Sequence, residues 1–196
     1  KGKGEGEESL MPSCCKWGRA NGWGMMSHIE VLSALDFFAN ASNAGAGGGA
    51  GGGGAGDSEV RELRDGVLAD YRARAAALLP YQDPATGMWR QVLNESWSYP
   101  ETSGTAMVVA SMAIAVRRGW LDGPRFAPAV RAGWGGLATR VDESSGVVSG
   151  VCMGTGIMPN ASGYNARGTD FFQSCPGGVG AVLRAAAAVA QLGAGK

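Results

Sequence analysis

Two stretches constrain the fold more than anything else in the sequence. "GTAMVVASMAIAVRRG", starting at Gly104, and "GGVGAVLRAAAAVAQLG", starting at Gly177, are apolar nearly all round and rich in small residues, and both close on glycine. A helix that is apolar on every side is buried on every side. Two other segments are helical with one apolar face. Asp57 or Ser58 caps the first, whose stripe is Val60, Leu63, Val67, Tyr71, Ala75 and Leu78. Pro124 starts the second, with Phe126, Val130, Trp134, Leu137 and Val141 on one side.

One-faced and wrapped helices therefore alternate, and the loops repeat with them. Asp83-Pro-Ala-Thr-Gly87 and Asp142-Glu-Ser-Ser-Gly146 are matching turns 59 residues apart, each after a one-faced helix. Each leads through a polar approach, at Glu101–Gly104 and Ser174–Gly177, into a wrapped helix. The repeat is a helical hairpin of roughly 60–70 residues, which needs neighbours to bury its faces. Inner helices near 101–118 and 177–192 inside outer ones near 58–80 and 124–140 make an all-α toroid, incomplete here at about three hairpins. Residues 1–13 read as a disordered start and 14–196 as part of one barrel domain. A Gly/Ala segment at 44–57 has linker composition. It lacks the preceding strand and following Lys-Ser/Thr of a phosphate cradle.

Composition excludes several functions. Seventeen Lys+Arg balance 17 Asp+Glu, so no long-range field recruits nucleic acid or an anionic membrane. No apolar run reaches the ~18 residues of a membrane span. Cys14, Cys15, Cys152 and Cys175 show no zinc spacing.

In a toroid the loops entering the inner helices open at one end. "WGRANGW", "YPETSGT" and "GYNARGTDFFQSCPGG" would converge there, bringing Trp17, Arg19, Asn21, Trp23, Glu101, Tyr164, Arg167 and Asp170 to one mouth. Aromatic faces beside planar cation forks suit a sugar acid: an indole stacks on a pyranose and an arginine takes the carboxylate two-pronged. The competing reading is that Trp17 and Trp23 wedge a helix start and Arg19 caps a neighbour.

"KWGRANGWGMMSHIEVL", "YQDPATGMWRQVL", "ETSGTAM", "VCMGTGI" and "GYNARGTDFFQSCPGGVG" together resemble glycoside hydrolase family 105 and its relative, family 88. These are the unsaturated rhamnogalacturonyl and glucuronyl hydrolases. The resemblance implies an (α/α)6 barrel, of which this chain is the C-terminal half, and no metal or organic cofactor. The implied partner is an oligosaccharide with a 4,5-unsaturated uronic acid at its nonreducing end. Its W-x-R-x-x-G-W motif makes Trp17, Arg19 and Trp23 sugar contacts. The implied chemistry is hydration: an aspartic acid protonates C4 of the enol ether, water adds at C5, and the hemiketal opens.

That aspartate is expected N-terminal to the motif, near a Trp-Asp pair. The residues before Trp17 read "GEGEESLMPSCCK" and hold no Asp, so the acid is expected upstream of Lys1. Glu101 is the strongest internal substitute, yet at an inner-helix start it reads first as a cap or substrate contact. His28 reads as packed or hydrogen-bonded, and the turn residues Asp142 and Glu143 as solvated. Two functions remain: half of an unsaturated uronyl hydrolase, or a toroid that keeps the sugar-facing aromatics without catalysis.

Overall fold

The Glu101 side chain accepts the backbone N–H groups of Ser103 and Gly104, two of the donors every helix start leaves unpaired. The helix it starts, α3 (Thr102–Arg117), is buried at every residue from Thr102 to Ala113 and again at Ala115. Its polar members are satisfied: Thr102 donates to Ser149 O at 2.8 Å and Ser111 to Met107 O at 2.7 Å. The computed structural model describes residues 14–45, 55–169 and 176–193. Within them α3 packs against α1 (Gly18–Gly45), α4 (Gly123–Ala138) and α6 (Pro176–Gly193), while α2 (Ala55–Leu78) packs on α1. A five-residue helix, α5 (Ala161–Asn165), lies in the long connection before α6.

The result is two helical hairpins, α1–α2 and α3–α4, followed by α6. α1, α3 and α6 form one layer, and α2 and α4 back it. Among the described residues there is no strand, and four isolated bridges pin the loops. The inner and outer assignments follow the sequence reading. α4 buries Phe126, Val130 and Leu137 and leaves Trp134 half-buried. Asp122 caps it, accepting from Arg125 N at 3.0 Å, with proline in its first turn.

Three details depart from expectation. α6 is not wrapped: it buries Gly178, Val182, Ala185 and Ala188 at helical spacing, while Leu183 is 65% exposed. The reason is that α6 packs mainly on α3 and α4, with one ion pair from Arg184 to Glu30 of α1, so its far side stays exposed. On α2 the apolar stripe begins late. Leu63 is 56% exposed, and burial runs through Leu68, Tyr71, Ala75 and Leu78. That end of the hairpin is open on α1 as well, where Phe37 and Phe38 are exposed. Finally, α1 runs to Gly45 and α2 starts at Ala55, before the expected cap, so both edges of the 44–57 segment are helical. Residues 46–54, like 1–13, lie outside the described residues.

The two matching turns are built alike. Gly87 N donates to Asp83 O at 2.7 Å and Gly146 N to Asp142 O at 2.8 Å. Both glycines sit at φ near +70°, in the left-handed region that a Cβ disfavours. Each turn is then clamped by one more backbone bond, Asp83 N to Met88 O and Asp142 N to Val147 O, both 2.9 Å.

Candidate functional site

The stretch "WGRANGW" is expected as a loop; from Gly18 on it forms the first turns of α1. Its glycines explain how. A Cβ on Gly18 would stand 2.4 Å from Arg90 O, and one on Gly104 would stand 3.1 Å from Arg19 N. On Gly22 it would meet Met107 Cβ at 3.0 Å. α1 thus presses its first two turns onto the start of α3 and the strand-like segment before it. Gly18 N donates to Gln91 O at 2.8 Å and Leu93 N to Lys16 O at 2.9 Å, which fixes Trp17 opposite Val92.

On this support three of the sequence-derived residues meet. The Trp17 and Tyr164 rings lie 5.6 Å apart with an interplanar angle of 30°, and the Arg19 guanidinium lies 5.4 Å from the Trp17 ring. Arg19 Nη1 donates to Cys152 O at 2.8 Å and Nη2 to Met153 O at 2.7 Å. The guanidinium therefore braces the 152–155 segment against α1. Two of its five N–H donors hold the strong bonds to carbonyls.

Beneath them Gln91, fully buried, ties the cluster together. It accepts from Trp17 Nε1 at 3.3 Å and donates to Cys152 Sγ at 2.8 Å and to Tyr164 O at 3.3 Å. Tyr99 stands beside them, its hydroxyl pushed well above the usual phenol range by burial and then by the Cys152 thiol.

Glu101 belongs to the same construction as an anchor. Its carboxylate accepts from Ser103 N (3.0 Å), Ser103 Oγ (2.7 Å), Gly104 N (2.6 Å) and Cys152 N (2.9 Å), with no exposed surface. Four donors fill its lone-pair directions, so it caps α3 and holds the Cys152 segment to it.

Asn21 and Arg167 touch the cluster only at main-chain atoms. Asn21 turns back to donate to Trp17 O at 2.8 Å and lines a cavity of about 470 Å³ between α1 and α2, with Lys16, Arg74 and Tyr81. Trp23 is 57% exposed on α1. Arg167 is half-buried after α5, its carbonyl accepting from Met153 N. Asp170 lies outside the described residues. His28 bridges Gly24 O and Asp70 Oδ2, both at 2.7 Å, joining α1 to α2 away from the cluster. Among the described residues no group of His, Cys, Asp and Glu has metal-holding geometry, and no helix is long and apolar enough to cross a membrane.

The sequence does not mark Gln91, Tyr99 or Thr155, and it marks Cys152 only as a cysteine without zinc spacing. The motif "VCMGTGI" marked the segment, but nothing in its spelling shows that Cys152 meets an arginine 133 positions earlier.

The chain is 26% identical over 148 residues to the unsaturated rhamnogalacturonyl hydrolase YesR of Bacillus subtilis, covering 76% of this chain and 34% of that protein. Its fold is similar to that of a possible GH105 family member from Salmonella enterica (TM-score 0.71, 21% identity), spanning 89% of this chain and 39% of the other. It is also similar to a family 105 glycoside hydrolase from C. acetobutylicum (TM-score 0.65, 23% identity), spanning 93% and 47%. The chain thus spans about a third to a half of the length of the proteins it matches. The profile of Glycosyl Hydrolase Family 88 matches residues 58–192, more than half of the sequence, and to that family the chain belongs.

Proposed function

We propose that this chain forms the sugar-recognising part of a hydrolase acting on oligosaccharides that end in a 4,5-unsaturated uronic acid. The observation that carries this reading is the Trp17–Arg19–Tyr164 cluster, an indole and a phenol beside a guanidinium at the starts of α1 and α3. The name of YesR, a hydrolase of unsaturated rhamnogalacturonyl substrates, supports the same substrate class. Trp17 offers a face to the pyranose ring, and the N–H donors that Arg19 has left take the carboxylate. The reaction is hydration of the enol ether. A carboxylic acid gives its proton to C4, water adds at C5, and the hemiketal opens to release the neighbouring sugar. With Glu101 committed to four donors, that acid is expected from an Asp outside these 196 residues. The same commitment of Glu101 favours a second reading, a sugar-binding toroid without catalysis.

Two measurements test these readings. Titration of the chain with an unsaturated uronic acid, followed by tryptophan fluorescence, should give saturable binding. Arg19→Lys should weaken it about tenfold, because an ammonium replaces neither the two-pronged contact nor the brace on the 152–155 segment. An unchanged Kd would sink the assignment. Joining the chain to an N-terminal half that bears a Trp-Asp pair should then remove the ultraviolet absorbance of the conjugated enol ether. Binding without that loss would leave the non-catalytic reading standing.

A further inference from the structure

Trp97 is 52% exposed, and its setting differs from that of an indole left over from packing. Its Nε1–H donates to Glu95 Oε2 at 2.8 Å, while Glu95 Oε1 accepts from Asn94 Nδ2 at 3.3 Å. The ring is thereby pinned by its one polar atom and keeps exposed surface. The turn beneath it is rigid. Glu95 N donates to Val92 O and Ser98 N to Glu95 O. The buried Ser98 hydroxyl accepts from Val92 N at 3.0 Å and donates to Asn165 Oδ1 at 2.8 Å. The turn also sits beside the sugar-binding cluster on two sides. Val92 pairs with Trp17, and Asn165 follows Tyr164 on α5.

We infer that Trp97 and Glu95 form a second sugar subsite, for a neutral pyranose next to the unsaturated uronide. An indole fixed before binding gives up little freedom when a ring stacks on it. Its neighbours Asn94, Glu95 and Ser96 are hydrogen-bonding side chains, suited to hydroxyls. A protein-docking patch would instead be contiguously apolar. The carboxylate decides the class of sugar: Glu95 repels an acidic residue and accepts from a neutral one. The inference rests on the reading of Trp17, Arg19 and Tyr164 as the uronide site.

The experiment follows the indole N–H resonances of the chain by NMR, with Trp97 assigned through Trp97→Phe. The probes are an unsaturated uronic acid, and that acid joined to rhamnose. Trp17 should move with both, Trp97 with the disaccharide only. Trp97→Ala should weaken the disaccharide about tenfold and leave the monosaccharide within about twofold. Glu95→Gln keeps an acceptor for the indole but removes the charge. It should tighten an unsaturated di-uronide about threefold or more and leave the rhamnose disaccharide as it was. If Trp17 moves while Trp97 stays silent, or if Trp97 already responds to the monosaccharide, the second subsite is overturned. No gain for the di-uronide in Glu95→Gln overturns its charge selectivity. If both indoles ignore both probes, the uronide site itself has failed, and the subsite falls with it.

Discussion

Asp83 and Asp142 open the two matching turns, and local donors hold each carboxylate. Asp83 Oδ1 accepts from Ala85 N at 3.0 Å. Asp142 Oδ1 accepts from the Ser144 hydroxyl (2.6 Å), Ser144 N (2.9 Å) and Ser145 N (2.8 Å). Led by the Ser144 hydroxyl, these bonds lower the Asp142 carboxyl from 3.8 to about 2. A carboxyl depressed in the folded state contributes stability above its unfolded value and loses it as pH falls through the folded one. The window is therefore pH 4 down to 2. The urea midpoint of Asp142→Asn should lie below that of the parent by a constant amount above about pH 5, and the gap should close between about pH 4 and 2. A gap that persists at pH 2 would mean that the turn does not depend on the charge. Glu101 uses the same donor chemistry to a different end, because its bonds join α3 to a segment 51 positions away.

Elements were legible in the sequence where burial is set by local spelling. α3 shows this well, since a run of small and apolar residues on every face leaves no side for water. α6 has nearly the same spelling and is buried on one side, because burial belongs to the neighbours as much as to the helix. Likewise Trp17, Arg19 and Tyr164 were named from the sequence and do meet. Gln91, which holds them together, looks like any polar residue in "WRQVL". Nothing local shows that it is fully buried among three distant partners. The glycines of "WGRANGW" carry the element-scale prediction. Gly18→Ala places a methyl 2.4 Å from a backbone oxygen, where no rotamer can yield. It should cost about 1–3 kcal/mol in urea unfolding through displacement of α1. Because α1 carries Arg19, uronide binding should weaken in step. A variant as stable as the parent would show that the α1–α3 seat is looser than these contacts imply.

At the scale of the molecule, two hairpins and α6 lean on one helix. α3 meets α1, α4 and α6, while α2 and α6 each have an open side among the described residues. Such a layout divides the chain by how far it must open before a given amide meets solvent. The α3 amides from Ala106 to Ala113 have no local route out, so their deuterium exchange should proceed only through complete unfolding. Their exchange free energy should match the stability measured in denaturant. Amides around Leu183 on α6 and Phe37 on α1 should exchange at least about tenfold faster, through openings that leave α3 intact. Equal rates throughout would mean a single cooperative unit. A graded pattern would mean that the Trp17–Arg19–Tyr164 end, seated on the start of α3, stays assembled while the outer turns of the same chain open and close.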